Sequence, residues 1–381
     1  MIRNLTRPFA SARGAVFAAF VFMVFMPVAV IAQPALVSPQ VNNDGSVTFR
    51  LNRPGAHEVL VALAGLDSPL KMIEADGVWS VTTAPLASGP YWYSYIVDGK
   101  SELDPLNEDV VPNYTYLNSV VRVPGSGPEP WERADVPHGE LHHHYYQSSI
   151  VKGLPNGRSE YLVYTLPGYD PRAAITYPTL YLLHGMSQGA ADWTTMGGAN
   201  FILDNLIAQG RAKPMVVVMP LGYGDIALTH KAVSDGDFFP EFAANNTLFQ
   251  RALLTEIVPR VEAEYRVGKT RDRKAIAGLS MGASQSLDIG LNRDGIGGFA
   301  WVGGFSAPAQ LVQRPALSGE AQKLSLLFIG CGTGDPFLEP TRKLIADLQA
   351  KGYSVKIAEK PGAHVWPVWD RDLVDFVPLL F

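Results

Sequence analysis

The chain has 381 residues, 47% hydrophobic and 18% charged, with 36 glycines, 29 prolines and a formal net charge of −5. Such a composition describes a turn-rich globular protein, long enough for about two domains. No basic stretch is interleaved with aromatics, which argues against a nucleic-acid partner. The single cysteine, Cys331, excludes an internal disulfide and a cysteine-based metal site.

The first 32 residues read as a secretion signal. Arg3, Arg7 and Arg13 precede an uncharged run over 14–31, and Val30-Ile31-Ala32 presents small or modest side chains where a signal peptidase cuts. An uncleaved anchor is the alternative, because the run approaches the length of a membrane span. Pro27 and Ala32 favour cleavage, so the expected location is secreted or periplasmic, with no membrane association afterwards.

Residues 33–125 read as short strands divided by turns. The stretch 47–51 alternates, Val59–Leu63 is a buried-type run, Asp76-Gly77 precedes 78–81, and the β-prone stretch 91–97 ends at the hairpin signal Asp98-Gly99. Strands at this spacing predict a small β-sandwich. The Pro- and Gly-rich stretch 124–130 then reads as a linker, with the linking segment set at 126–137 and a second domain at 138–381.

In that second domain apolar runs at Thr179–Leu183, 215–219, 274–277 and 324–329 alternate with helix-like stretches at 201–209, 249–265 and 337–351. Buried strands alternating with helices predict a mostly parallel sheet covered on both faces. Ligands of such sheets bind at the carboxyl ends of the strands, so the residues after each strand are the place to seek chemistry.

Two Gly-x-Ser-x-Gly motifs stand there, Gly185-Met186-Ser187-Gln188-Gly189 and Gly278-Leu279-Ser280-Met281-Gly282. A nucleophile elbow needs a strand before the serine and a helix directly after it. Only Ser280 is followed by a helix-like stretch, 283–289, so Ser280 is the candidate nucleophile. The first motif suits a loop that supplies an oxyanion-hole amide. Of eight histidines only His364 follows Ser280, in a loop after the strand-like stretch 353–359, and an α/β-hydrolase fold places its histidine last.

The acid should lie between them at a strand end. Asp288 and Asp347 fall in helix-like stretches, Asp294 in a Gly-rich turn, Glu320 in a polar connection, Glu359 just before Lys360-Pro361, and Glu339 a turn into a helix. Asp335 closes Gly330-Cys331-Gly332-Thr333-Gly334-Asp335, directly after the strand 324–329, and is the favoured choice. The order Ser280, Asp335, His364 suits attack of a serine hydroxyl on an ester carbonyl. The amides of Met186 and Met281 would hold the developing oxyanion.

These residues stand in stretches that resemble carbohydrate esterase family 1, the esterase D-like proteins. The likeness lies in Tyr177-Pro178-Thr179-Leu180-Tyr181-Leu182-Leu183-His184-Gly185, in 159–170, 214–220 and 277–282, and in His364-Val365-Trp366-Pro367-Val368-Trp369, over about 138–375. The resemblance implies an α/β-hydrolase fold with Ser280, Asp335 and His364 at the triad positions and Met186 and Met281 at the oxyanion positions. It also implies activity on feruloyl, acetyl or related acyl esters. The chain departs from the family at Ala283, where a second glycine is usual; alanine is small and helix-favouring, so no loss of activity is expected. The N-terminal region resembles the immunoglobulin-like early-set, family-48-like module found before such esterases, which would shape the site entrance.

His142-His143-His144 suggests a metal, but consecutive strand residues alternate faces and the spacing matches no ligand set, so neither metal nor cofactor is expected. Tyr91, Tyr93 and Tyr95 share one strand face and either stack on sugar rings or, the favoured reading, pack against the second domain. Trp193, Trp366 and the loop 228–246, with Phe238, Phe239 and Phe242, are candidates for an acyl or leaving-group pocket, and core packing explains them equally well. The expected enzyme is a feruloyl-esterase-like hydrolase acting on esters of plant polysaccharide or its oligosaccharide fragments. Its rivals are an acetylxylan esterase, an acyltransferase, and a glycan-binding protein with an inactive hydrolase domain.

Overall fold

The structure, a computed structural model, describes residues 36–111, 113–115, 117–231, 234–291, 298–312 and 324–381. The signal segment, Asp294 and Glu320 lie outside these residues. No helix among the described residues is long and apolar enough to cross a membrane.

Between residues 40 and 123 the short alternating runs form two antiparallel sheets. One has the strand order Gln40–Val41, Val47–Asn52, Val78–Thr82, Ile73–Ala75. The other runs Leu70–Lys71, Val59–Leu63, Gly89–Val97, Asn118–Val123, Val110–Val111, and Lys100–Glu102 joins it on Gly89–Val97. Asp98 and Gly99 both take positive φ (47° and 80°), as a two-residue hairpin turn requires, and set Val97 opposite Lys100.

Val47, Phe49, Leu51, Val59 and Val61 are all buried, and Phe49 of one sheet meets Tyr93 of the other with ring centroids 4.6 Å apart. Tyr93 and Tyr95 point into this interior and donate to Asp104 Oδ2 at 2.7 and 3.1 Å. Neither is available to a sugar ring, which corrects the stacking alternative. Nor is the second domain their principal partner, because the apolar face of their strand is turned to its own opposing sheet. Tyr91 is buried too, its hydroxyl donating to the Ala87 carbonyl at 3.0 Å.

Residues 126–137, the expected linker, contain no helix or strand and are held to the second region: Asn205 Nδ2 donates to the carbonyls of Pro130 and Glu132, at 2.9 Å each. Beyond them lies an eight-stranded sheet. Its strands are β1 (Glu140–Gln147), β2 (Arg158–Thr165), β3 (Thr179–Leu183), β4 (Val216–Pro220), β5 (Lys274–Leu279), β6 (Trp301–Phe305), β7 (Leu326–Gly332) and β8 (Lys356–Lys360). Their spatial order is β1-β2-β4-β3-β5-β6-β7-β8; β2 pairs antiparallel with both β1 and β4, and every pairing from β4 to β8 is parallel.

The helices are α1 (Asp192–Thr195), α2 (Ala199–Ala208), α3 (Phe238–Ala252), α4 (Val258–Glu264), α5 (Met281–Leu291), α6 (Leu338–Ala350) and α7 (Trp366–Phe376). Strand alternation decides which residues meet which helices. Leu162, Leu180, Leu182, Val217, Ala275 and Ala277 form one cluster with the apolar residues of α2 and α7. Their neighbours Val163, Tyr181, Val216, Val218 and Ile276 pack with those of α3 to α6. The first cluster is continuous with the interior of the β-region, so residues 37–381 form one compact unit.

Asp104 is the polar hub of the β-region interior, 2% exposed, and also accepts the Leu106 amide. Asp104→Leu strips two buried phenols of a shared acceptor and should lower stability by about 2–3 kcal/mol, read as a fall in Tm. An unchanged Tm would contradict this account of the β-region interior.

Candidate active site

Strand β5 ends at Leu279 and helix α5 begins at Met281, leaving Ser280 as the single residue between them. Its φ is +50°, a left-handed conformation unfavourable for a residue with a Cβ. The turn is held by the Ser280 amide, which donates to the Phe305 carbonyl at 2.9 Å, and by the Ser280 carbonyl, which accepts from Ala283 and Ser284. So sharp a turn needs glycine on both sides. A Cβ on Gly282 would stand 2.6 Å from the carbonyl oxygens of Leu183 and His184, and one on Gly278 would stand 2.6 Å from the Gly282 backbone.

His364 joins this serine to Asp335. Its Nε2 lies 3.0 Å from Ser280 Oγ and its Nδ1 lies 2.8 Å from Asp335 Oδ2. Asp335 follows the end of β7 and His364 follows the end of β8, so parallel neighbours carry both groups to the same edge of the sheet. Burial alone would push the Asp335 carboxyl up, but the hydrogen bonds from His364 and from the Phe337 amide hold it below its ordinary value. An ionised carboxylate only accepts, so the ring proton sits on Nδ1 and leaves Nε2 free to take the serine proton. The ring is held edge-to-face by Phe337 and Trp369, at centroid distances of 5.1 and 4.9 Å.

The first Gly-x-Ser-x-Gly motif forms a loop after β3, followed only by the four-residue α1. This loop passes beside Ser280: a Cβ on Gly185 would be 3.4 Å from that of Ser280. Met281 is the first residue of α5, where an amide has no partner within the helix. Neither its N–H nor that of Met186 has an acceptor among the described residues. Two donors at a helix start and a neighbouring loop, next to a hydroxyl, can stabilise negative charge on an acyl oxygen.

The loop is braced from below. His184, fully buried, donates from Nδ1 to the Gly185 carbonyl (2.8 Å) and accepts the Gly222 amide at Nε2 (2.8 Å). The side chain of Gln188 accepts from the Gly185 amide at 2.7 Å, and its carbonyl accepts the Tyr223 hydroxyl at 3.1 Å. His184, Gln188 and Tyr223 were missed in the sequence; the only signal for them was the position of His184 next to the loop glycine.

Other candidates fall elsewhere. Trp193 and Trp366 are 0% and 1% exposed, stacked edge-to-face at 5.2 Å, and the Trp193 indole donates to the Leu183 carbonyl. Both pack as core residues. The stretch expected as a loop over 228–246 is helical from Phe238, because Phe238, Phe242 and Phe249 fall on one helical face and bury it. Phe239 alone stands out from that face, 48% exposed. His142 and His144 share a face of β1, near Glu140 and Glu264 respectively at 3.6 Å, and His143 bonds Glu160 on the other face. Among the described residues no group of three or more His, Cys, Asp or Glu is placed to hold a metal.

A mostly parallel eight-stranded sheet, with a serine on a strand-to-helix turn facing an imidazole carried after the last strand, defines an α/β-hydrolase. A family model described as "Putative esterase" matches residues 156–380, and the chain belongs to this esterase family. It is 28% identical over 356 residues to an endo-1,4-beta-xylanase/feruloyl esterase of Xylanibacter ruminicola, a match covering 92% of this chain and 46% of that protein. The chain thus spans about half the length of that relative. Among solved structures, a CE1 ferulic acid esterase from Anaeromyces mucronatus in complex with ferulic acid is 22% identical, with a TM-score of 0.56 over 67% of this chain and 96% of that one. An enterobactin esterase from Shigella flexneri is 19% identical, with a TM-score of 0.65 over 89% of this chain and 95% of that one. These structures share the fold.

Two outcomes follow from the geometry. Asp335→Asn cannot hold the required tautomer of His364 and should lower kcat by about four orders of magnitude with KM little changed; a loss below tenfold would remove Asp335 from the site. Burial holds the His184 imidazole at about 4, against 6.5 in the unfolded chain, despite the bond to Gly185. Within that window the unfolded chain binds a proton that the folded chain does not, so stability falls as pH drops. His184→Gln removes this contribution, and the Tm gap between wild type and variant should narrow on acidification. A gap that widens instead would contradict a neutral, buried His184.

Proposed function

We propose that the chain is a serine carboxylic-ester hydrolase working through an acyl-enzyme on Ser280, and that its substrates are hydroxycinnamoyl esters of plant cell-wall polysaccharide. The observation that carries the reading is one imidazole within hydrogen-bond reach of both Ser280 Oγ and Asp335 Oδ2. His364 takes the serine proton as Oγ attacks the ester carbonyl, and the amides of Met281 and Met186 receive the oxyanion. The protonated ring then gives its proton to the leaving alcohol. Water attacks the acyl-enzyme with the same ring as base, restoring Ser280 and releasing the acid.

Membership in the esterase family supports the ester bond as the target. The choice of acyl group draws on the xylanase/feruloyl esterase relative. The Arg-led apolar segment at residues 1–32 supports export, and hence a large external substrate. The proposed organisation is a signal segment to 32, a β-module over 33–125, a linker over 126–137 and the esterase domain over 138–381.

Ser280→Ala should abolish ester turnover while leaving Tm near that of the wild type; turnover close to wild type would end the nucleophile assignment. Comparing kcat/KM for methyl ferulate and for a simple acetate ester tests the acyl group. The ferulate should be preferred, and preference for the acetate would overturn the hydroxycinnamoyl assignment alone.

A further inference from the structure

Ser187 has a φ of +67°, in the left-handed region where a Cβ crowds the backbone, so contacts beyond the loop itself have to hold it there. Those contacts come from the β-region, from the connection between its strands Val110–Val111 and Asn118–Val123. The Tyr114 amide donates to the Ser187 carbonyl at 2.9 Å. The Thr115 hydroxyl stands 3.2 Å from Ser187 Oγ and 2.9 Å from the Thr229 carbonyl, joining the loops that follow β3 and β4. The Tyr114 ring meets that of Tyr223 edge-on, with centroids 5.7 Å apart, and Tyr223 bonds the carbonyl of Gln188.

We infer that Tyr114 and Thr115 are positioning residues for ester cleavage: they fix the oxyanion loop from the β-region, so that this region is part of the catalytic apparatus. The inference rests on the acyl-enzyme reading above. The peptide bearing the Met186 N–H is held on one side by His184, through the Gly185 carbonyl. Its neighbour on the other side, Ser187, is held by Tyr114 and Thr115. An oxyanion donor acts only if it is already aimed when the charge develops, and displacement by about 1 Å is enough to forfeit much of its effect. Ground-state binding of the ester does not depend on that aim. Loosening the β-region contact should therefore appear in kcat and not in KM.

The test uses the full-length protein with methyl ferulate and compares Thr115→Val, which keeps the shape and removes the hydroxyl, with Thr115→Ser, which keeps the hydroxyl. Thr115→Val should lower kcat roughly tenfold, a fraction of the effect of losing an oxyanion donor outright, with KM within about twofold of wild type. Thr115→Ser should recover most of the kcat. A boronic-acid inhibitor, whose tetrahedral adduct presents an oxygen to the same amides, should bind Thr115→Val more weakly by a similar factor, while ferulate itself binds both proteins alike. Wild-type kcat in Thr115→Val, a loss carried by KM, or no recovery in Thr115→Ser would overturn the inference. Ser280→Ala, assayed alongside, separates the two levels: retained turnover there would defeat the acyl-enzyme reading itself, whereas an inactive Ser280→Ala with an unaffected Thr115→Val would defeat only the role of the β-region.

Discussion

The structure depends above all on a single imidazole whose two nitrogens are committed to different partners. One faces a carboxylate and the other a hydroxyl, and three loops from three strands have to arrive together for both distances to fall at 2.8 and 3.0 Å. Parallel pairing of β5 through β8 brings the loop beginnings to one edge. The remaining requirement is local: the serine backbone has to turn from strand to helix within one residue. Gly278 and Gly282 allow that turn because the backbone on either side is closer than a Cβ permits.

The support of this edge extends past the α/β sheet. Trp92 of the β-region lies 6.2 Å from Trp369, and Trp369 packs edge-on against His364. Gly65 approaches Val365 so closely that a Cβ would stand 2.9 Å from its Cγ1, and Gly89 meets Pro367 in the same way at 2.7 Å. The β-region thus touches the segment that carries the imidazole as well as the loop that follows β3. A single apolar cluster running through both regions is consistent with this, since a module joined only by a linker would close its core separately.

Much of this was legible in the sequence, for identifiable reasons. Strands buried on both faces are continuous apolar runs, so β3 was bounded to the residue at Thr179–Leu183, and the hairpin at Asp98-Gly99 followed from turn chemistry. Ser280, Asp335 and His364 could be selected because strand ends and chain order leave few alternatives, and the structure brings the three together. What escaped was decided largely by packing between distant segments. Trp193 has the same local appearance as a pocket aromatic, and only its complete burial against Phe305 and Trp366 reveals it as core. Phe238 and Phe242 lie in a helix rather than a loop, with Pro240 in its first turn, where proline is tolerated. The meeting of Thr115 with Ser187 joins residues 72 apart, and no motif in either segment announces it.

The central claim is that the acyl group passes through Ser280, and the most direct measurement is mass spectrometry of peptides from enzyme quenched by acid during turnover of a slowly deacylating ester. The account predicts a single acyl adduct on the peptide containing Ser280, formed and lost at rates compatible with kcat. An adduct on another residue, Ser187 included, would contradict it, as would brisk turnover with no adduct on any peptide.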